Sequence, residues 1–443
     1  MPSFHDPKCA PPCEVGVVEG FFGPPWTHEA RNDFIRFMGK TGYKTYIYAP
    51  KEDTFHRENW AGPYPPAEWH RLLETIAACR ESGVEFVWAM SPGLTMRYSN
   101  DGDFKLLCDK FERIVGEGVR TFCLFLDDIP PQLQHDADKQ KYGSLGEAHV
   151  DLTNRLFDFL EGLRSDARLW FCPTDYATVE PTQYLETIGA GMHPEIGIFW
   201  TGPEVVSKSI TAEDARKFTE IIKRKPLLWD NYPVNDYNRK KLNMGPLRAR
   251  DPELPELLAG YFANPMNESK ASMLPLMTTI DYLCDPGNYD PDESLHLAIR
   301  ALAGTSGRAP LRDFCACWPA GFFKDEPPTK LQNEMEMARE GNAEPLMRRL
   351  SRLMELRESM ELHPELRKIA EETLNFLKGV DRYSYAAMLA IELHNQPGNE
   401  ALRQHYEKAL ARADRTEMQP LGGEFRQFIL DIVEGRINFS PQG

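Results

Sequence analysis

The sequence predicts an α/β fold, a (β/α)8 TIM barrel followed by an all-α helical domain, and three features carry that prediction. Eight short apolar runs rich in β-branched and aromatic residues recur between Val15 and Asn264. Segments with helical apolar spacing lie between most of them. From about Tyr289 onward the strand-like runs stop and helical spacing continues alone. Continuous apolar strands alternating with helices make a parallel sheet covered by helices. Eight such units fit a closed barrel better than an open sheet.

In chain order the runs are VGVVEG from Val15, TYIYAP from Thr45, EFVWAM from Glu85 and TFCLFLDD from Thr121. RLWFCP from Arg168, IGIFW from Ile196, PLLWD from Pro226 and GYFAN from Gly260 complete them. Their length and composition suit buried strands. Between them, residues 67–81 put Leu72, Leu73, Ile76 and Ala77 on one helical face, and residues 148–163 do the same with Leu152, Leu156, Phe159 and Leu163. Beyond the barrel, Leu346, Leu350, Leu353 and Met360 mark one helix. Leu366, Ile369, Phe376, Leu377 and Val380 mark a second, long one reaching toward Leu393. Phe425, Phe428, Ile429 and Ile432 mark a last one. Gly/Pro punctuation at 304–310, 319–328 and 395–399 separates the helices. The expected division is a catalytic barrel over residues 1–288 and a helical domain over 289–443. Met335, Met347, Met354 and Met360 read as core filler. The apolar segment near 366–393 permits a homodimer through the helical domain.

Composition sets bounds on function. The 443 residues carry 51 Lys+Arg against 67 Asp+Glu, a net charge of −16, with 42% hydrophobic and 27% charged residues. That is enough apolar material for a sizeable core. The excess negative charge argues against a nucleic-acid backbone or an anionic membrane surface as main partner. Neither a signal-peptide-like run nor a transmembrane stretch is evident. The nine cysteines are scattered, several inside apolar runs, which reads as reduced, buried thiols in a cytoplasmic protein. The close pairs Cys9/Cys13 and Cys315/Cys317 lack further Cys or His at zinc spacing, so no metal and no cofactor is expected.

Most of the runs end in acids, amides or aromatics, and the carboxyl ends of barrel strands form the active-site face. Asp127-Asp128 follows CLFL directly. Adjacent carboxylates at a strand rim cannot both ionise cheaply, which suits a neutral-pH general acid, provided the following turn points both at the barrel mouth. An Asp cap with a solvated neighbour, or a metal site with His135 and Asp136, are the other readings of the pair. Trp229-Asp230-Asn231-Tyr232-Pro233, with Asp236 and Tyr237, interleaves rings with acids and amides as a sugar pocket does. Trp229 is equally suited to the core. Lys51 stands at a strand exit, while Glu52, Asp53, His56 and Arg57 after it read as a solvated charged face. Glu19-Gly20-Phe21-Phe22-Gly23 suggests close backbone approach to a ligand or a tight turn.

Taken together, GVVEGFFGPPW, YIYAPKEDTFHR, FLDDI, FCPTDY, WTGPEVVS, WDNYPVNDY and the NP at Asn264 resemble, in order and rough spacing, glycoside hydrolase family 84, the O-GlcNAcases. The resemblance covers about residues 14–285; the helical part offers no securing motif. It implies a retaining β-N-acetylglucosaminidase in which the substrate's 2-acetamido oxygen is the nucleophile and an oxazoline is the intermediate. It implies that Asp127 orients the acetamide and that Asp128 is general acid and then base. By the same resemblance Tyr176 lies near the reacting centre, Asn231 supports acetamide and acid, and Trp229 forms a wall. Asp236 and Asn264 bind the far hydroxyls, and Lys51 with the backbone of Gly20 contacts the 3-hydroxyl. Cys172 falls at a pocket-lining position and reads more simply as a buried thiol. KED and TDY replace the commoner KDD and TEY. The partners implied are O-GlcNAc-modified proteins or peptides and other β-GlcNAc glycosides. A catalytically silent glycan-binding scaffold and a hexosaminidase for bacterial glycans are the competing functions.

Overall fold

The computed structural model describes residues 10–437; Cys9, half of one close cysteine pair, lies outside them. Eight parallel strands close in sequence order: β1 (Glu14–Glu19), β2 (Thr45–Tyr48), β3 (Glu85–Met90), β4 (Thr121–Phe125), β5 (Arg168–Cys172), β6 (Gly197–Trp200), β7 (Leu227–Asp230) and β8 (Gly260–Ala263). β8 pairs back onto β1, with Gly16 opposite Phe262. Seven of the predicted runs contain their strands and β1 begins one residue before its run, at Glu14; period-two alternation lets a run that is apolar on both faces serve two cores.

The inner core is made of Val18, Ile47, Val87, Cys123, Trp170, Phe199, Trp229, Phe262 and their neighbours. Bulky rings fill it, and small partners make room for them. A Cβ on Gly16 would lie 2.7 Å from the Phe262 ring. The outer strand faces, the surrounding helices and the C-terminal helices share a second, continuous core. Among the described residues no helix is long and apolar enough to cross a membrane.

The barrel's last helix, Ser269–Cys284, packs against His28–Thr41 on one side and Pro291–Ala303 on the other. Leu374–Asn395 is the hub of the C-terminal region and touches Glu344–Met354, Glu400–Asp414 and Glu424–Val433. Two expected helices are each divided. Met360 lies on Leu356–Leu362, separate from Glu344–Met354. Leu366 and Ile369 lie on Pro364–Glu372, separate from Leu374–Asn395. The second break is at Thr373, whose hydroxyl donates to the Ile369 carbonyl at 2.7 Å. Such back-bonding competes with regular helix, and apolar spacing across a single break residue conceals it. Leu366, Ile369, Phe376, Leu377, Val380 and Leu393 are buried within the chain's own core, while Tyr385 of the same segment is exposed.

Among the described residues seven cysteines are free thiols, six of them buried. Cys284 departs from the expectation of reduced thiols: it is disulfide-bonded.

Candidate active site

The candidate site is assembled where the strands end. β4 stops at Phe125, and Leu126 N–H still bonds the Cys172 carbonyl at 3.0 Å. The chain then turns sharply, with Asp128 at φ 49°. Asp tolerates this left-handed region better than most residues. The turn brings two consecutive carboxylates to the same cavity despite strand alternation. Asp127 is buried, whereas the Asp128 side chain is 29% exposed.

A cation separates their charges. The Lys51 ammonium, buried at the exit of β2, donates to Asp127 Oδ2 and lies 3.5 Å from Asp128 Oδ2. Burial pulls the Lys51 pKa down, but the charges of Asp127 and Asp128 outweigh it and hold the lysine above its ordinary value. The Tyr176 hydroxyl donates to Asp128 Oδ1 at 2.7 Å. Burial first, then that bond and the charges of Asp128 and Asp127, raise the phenol pKa and keep it a donor. Arg57 donates to the Asp128 carbonyl at 3.0 Å and so pins the turn. Asp127 Oδ1 is buried without a partner.

The opposite wall comes from β7 and β8. Trp229 belongs to the inner core and also lines the cavity, so both readings of it hold. Gly20 is required beside it: a Cβ there would lie 2.3 Å from Trp229 Cζ2. Asp230 turns away from the cavity onto a buried arginine, with Arg250 Nε and Nη2 each 2.8 Å from its oxygens and the Tyr261 hydroxyl also donating. That bidentate pair fixes the end of β7. Asn231 Nδ2 donates to the Val205 carbonyl at 2.7 Å, and Asn264 Nδ2 donates to Asn231 Oδ1 at 2.9 Å. Asn264 Oδ1 has no partner. Asp236 Oδ2 accepts from Phe22 N–H at 2.7 Å, tying the β1 and β7 loops together.

One cavity of about 280 Å³ is lined by all of Gly20, Lys51, Asp127, Asp128, Tyr176, Trp229, Asn231, Asp236 and Asn264. That volume lies just below the roughly 300–1,000 Å³ range for drug-sized ligand sites and suits a single sugar ring. Cys172 lines it too, its thiol pKa raised by burial and then by the Asp127 charge. His135 caps the short helix Asp136–Lys141 and does not line the cavity. Among the described residues no group of three or more His, Cys, Asp and Glu is placed to hold a metal ion.

The charged face expected after Lys51 is overturned in part. His56 is fully buried, with Nδ1 2.8 Å from the Ala89 carbonyl, and burial lowers its pKa to about 4. Asp53 accepts from the Tyr48 and Tyr64 hydroxyls at 2.9 and 3.1 Å. Local sequence could not distinguish this loop from a solvated one, because the partners lie on other elements. Arg57 was missed for that reason. Val205, Val206 and Val234, which also line the cavity, carry no polar signal.

The family model for beta-N-acetylglucosaminidase matches residues 15–316. The chain belongs to the beta-N-acetylglucosaminidase family. Within it, a 269-residue stretch is 39% identical to Protein O-GlcNAcase of Rattus norvegicus and equally to that of Mus musculus, covering 59% of this chain. The chain spans 29% of the length of those relatives. A mutant of the Thermobaculum terrenum O-GlcNAc hydrolase superimposes with a TM-score of 0.87 at 30% identity, over 95% of this chain and 94% of that one. The beta-N-acetylglucosaminidase match runs through all eight strands and past Cys284 into the first C-terminal helices.

Proposed function

We propose that the protein is a retaining glycosidase that releases terminal β-linked N-acetylglucosamine from Ser/Thr of modified proteins, or from related glycosides, by substrate-assisted catalysis. The observation that carries this reading is the unequal state of the two acids. Asp127 has one oxygen bound to Lys51 and the other buried and unpartnered on the cavity wall. Asp128 is partly exposed and held by Tyr176. An unpaired buried acceptor is costly unless a donor arrives, and an acetamide N–H is such a donor.

In the first step Asp127 accepts the acetamide N–H and orients the group. The acetamide oxygen attacks the anomeric carbon as the glycosidic bond breaks, and Asp128 gives its proton to the departing oxygen. In the second step the Asp128 carboxylate takes a proton from water, which opens the oxazoline from the face the leaving group occupied. Two inversions give net retention, and no protein nucleophile is needed. Lys51 holds Asp127 in place through its ion pair.

The test uses a chromogenic β-GlcNAc glycoside and its N-trifluoroacetyl analogue. We expect turnover with retained configuration and a steep rate drop for the electron-poor acyl group. An equal rate for both substrates rejects amide participation. As a second element of the proposal, residues 289–443 form a helical domain packed on the barrel 1–288 through their shared core, with the break between Cys284 and Pro291 as its supporting observation. The seven free thiols among the described residues support a reducing, cytoplasmic setting, to which the Cys284 disulfide is the exception.

A further inference from the structure

The helix Ser269–Cys284 begins at Glu268, whose own side chain makes no cap bond to it. Its leading donors are satisfied from far along the chain. Glu372, at the end of Pro364–Glu372, accepts from Ser269 Oγ at 2.9 Å, Lys270 N–H at 2.7 Å and Ala271 N–H at 3.0 Å. A carboxylate over a helix N-terminus satisfies orphan donors and meets the positive end of the dipole. A second tie lies beside it: Asp33 accepts from Lys270 at 2.9 Å and from Lys368 at 2.8 Å.

The cap releases Glu268 for another task. Glu268 Oε2 accepts from Asn235 Nδ2 at 2.8 Å, and Asn235 Oδ1 accepts from Asn267 N–H at 3.2 Å. Asn235 is fully buried and immediately precedes Asp236. Asn267 Nδ2 donates to the Phe22 carbonyl at 3.2 Å, and Phe22 N–H donates to Asp236. The Val234 N–H bonds the Asn264 carbonyl at 2.9 Å. The loops carrying Asp236 and Asn264 therefore hang on the head of the helix that Glu372 caps.

We infer that Glu372 is a positioning residue through which the C-terminal helices set the Asp236–Asn264 wall of the sugar cavity. The inference rests on the proposed glycosidase reading and gives those helices a part in substrate binding. Glu372 acts on affinity rather than on the chemical step, because Lys51, Asp127, Asp128 and Tyr176 hang on β2, β4 and β5 instead.

The experiment compares E372A, E372Q and S269A with the full-length wild type on a chromogenic β-GlcNAc glycoside, with folding checked by circular dichroism and Tm. In E372A we expect KM to rise about fivefold to tenfold with kcat within about twofold, the pattern of lost binding. E372Q, whose carbonyl still accepts from the helix N–H groups, restores KM to within about threefold of wild type. S269A loses one bond and falls between. A folded E372A with wild-type KM overturns the inference, as does a loss confined to kcat. If E372A fails to fold, S269A with an unchanged KM overturns it alone. Turnover by the wild type tests the glycosidase reading separately. Without turnover, calorimetric binding of N-acetylglucosamine to wild type and variants reads the same ratio.

Discussion

The two walls of the cavity are held by different forces. On the acid wall, Lys51, Arg57 and Tyr176 converge on two consecutive aspartates through charged and charge-assisted bonds. On the opposite wall, two amides and a ring, Asn231, Asn264 and Trp229, face the cavity beside a single carboxylate, Asp236, while the neighbouring Asp230 is turned away onto Arg250. Preorganised charge is worth most where charge develops during reaction. Neutral amides suit hydroxyl recognition, where binding without strong electrostatics is enough. On this reading, one wall governs kcat and the other governs KM.

The largest expected break in that contrast is D128N. It removes the ionisable proton and leaves the shape, so kcat should fall by roughly 10²–10⁴-fold with KM changing only a few-fold. Steady-state kinetics check it, and a near-normal kcat would dissolve the distinction between the walls. R250M on the other side leaves Asp230 buried without its cation, with only the Tyr261 hydroxyl still donating to it. Breaking a buried pair in this way costs about 3–5 kcal/mol, read as a lower denaturant midpoint, while kcat of the protein that remains folded stays within about threefold of wild type. G20A lies between the walls. Its methyl would collide with Trp229, a rigid core ring, and overpacking of this kind costs about 1–3 kcal/mol. Both kcat and KM should worsen, because the ring borders both walls and lies 5.7 Å from the Lys51 ammonium.

The same contrast explains what the sequence disclosed. All eight strands were legible because each apolar run lies on two cores at once, and the acids, amides and rings after them were legible because strand ends form the catalytic face. Asp127 and Asp128 announced themselves as neighbours. What holds them did not: Lys51 is 76 positions from Asp127 and Arg57 is 71 from Asp128. His56 and Arg57 looked like a solvated run and are buried. Asp230 lies in the WDN string but turns from the cavity to a partner 20 residues on. In the C-terminal region, apolar spacing gave the helical character but not the break at Thr373, since one back-bonding residue leaves the pattern of buried positions intact.

The smallest effect expected is a pH dependence, and it comes from the distant support of the amide wall. Burial raises the Glu372 pKa from 4.5 to about 7, against the opposing bonds from Ala271, Ser269 and Lys270. The folded state therefore holds a proton that the unfolded chain gives up between those values. Stability from this group is fully present below pH 4.5 and is lost as pH rises through about 7, because in that window the native state binds more protons. The helix dipole favours the charged form and blunts the slope, leaving a change on the order of 1 kcal/mol. E372Q is neutral at every pH and should flatten that part of the stability curve while the acid wall is untouched. Chemical denaturation of wild type and E372Q between pH 5 and 8 measures it. A wild-type curve that climbs through this window by more than E372Q would mean that the cap, not burial, dominates Glu372, and that the amide wall tightens as the carboxylate ionises.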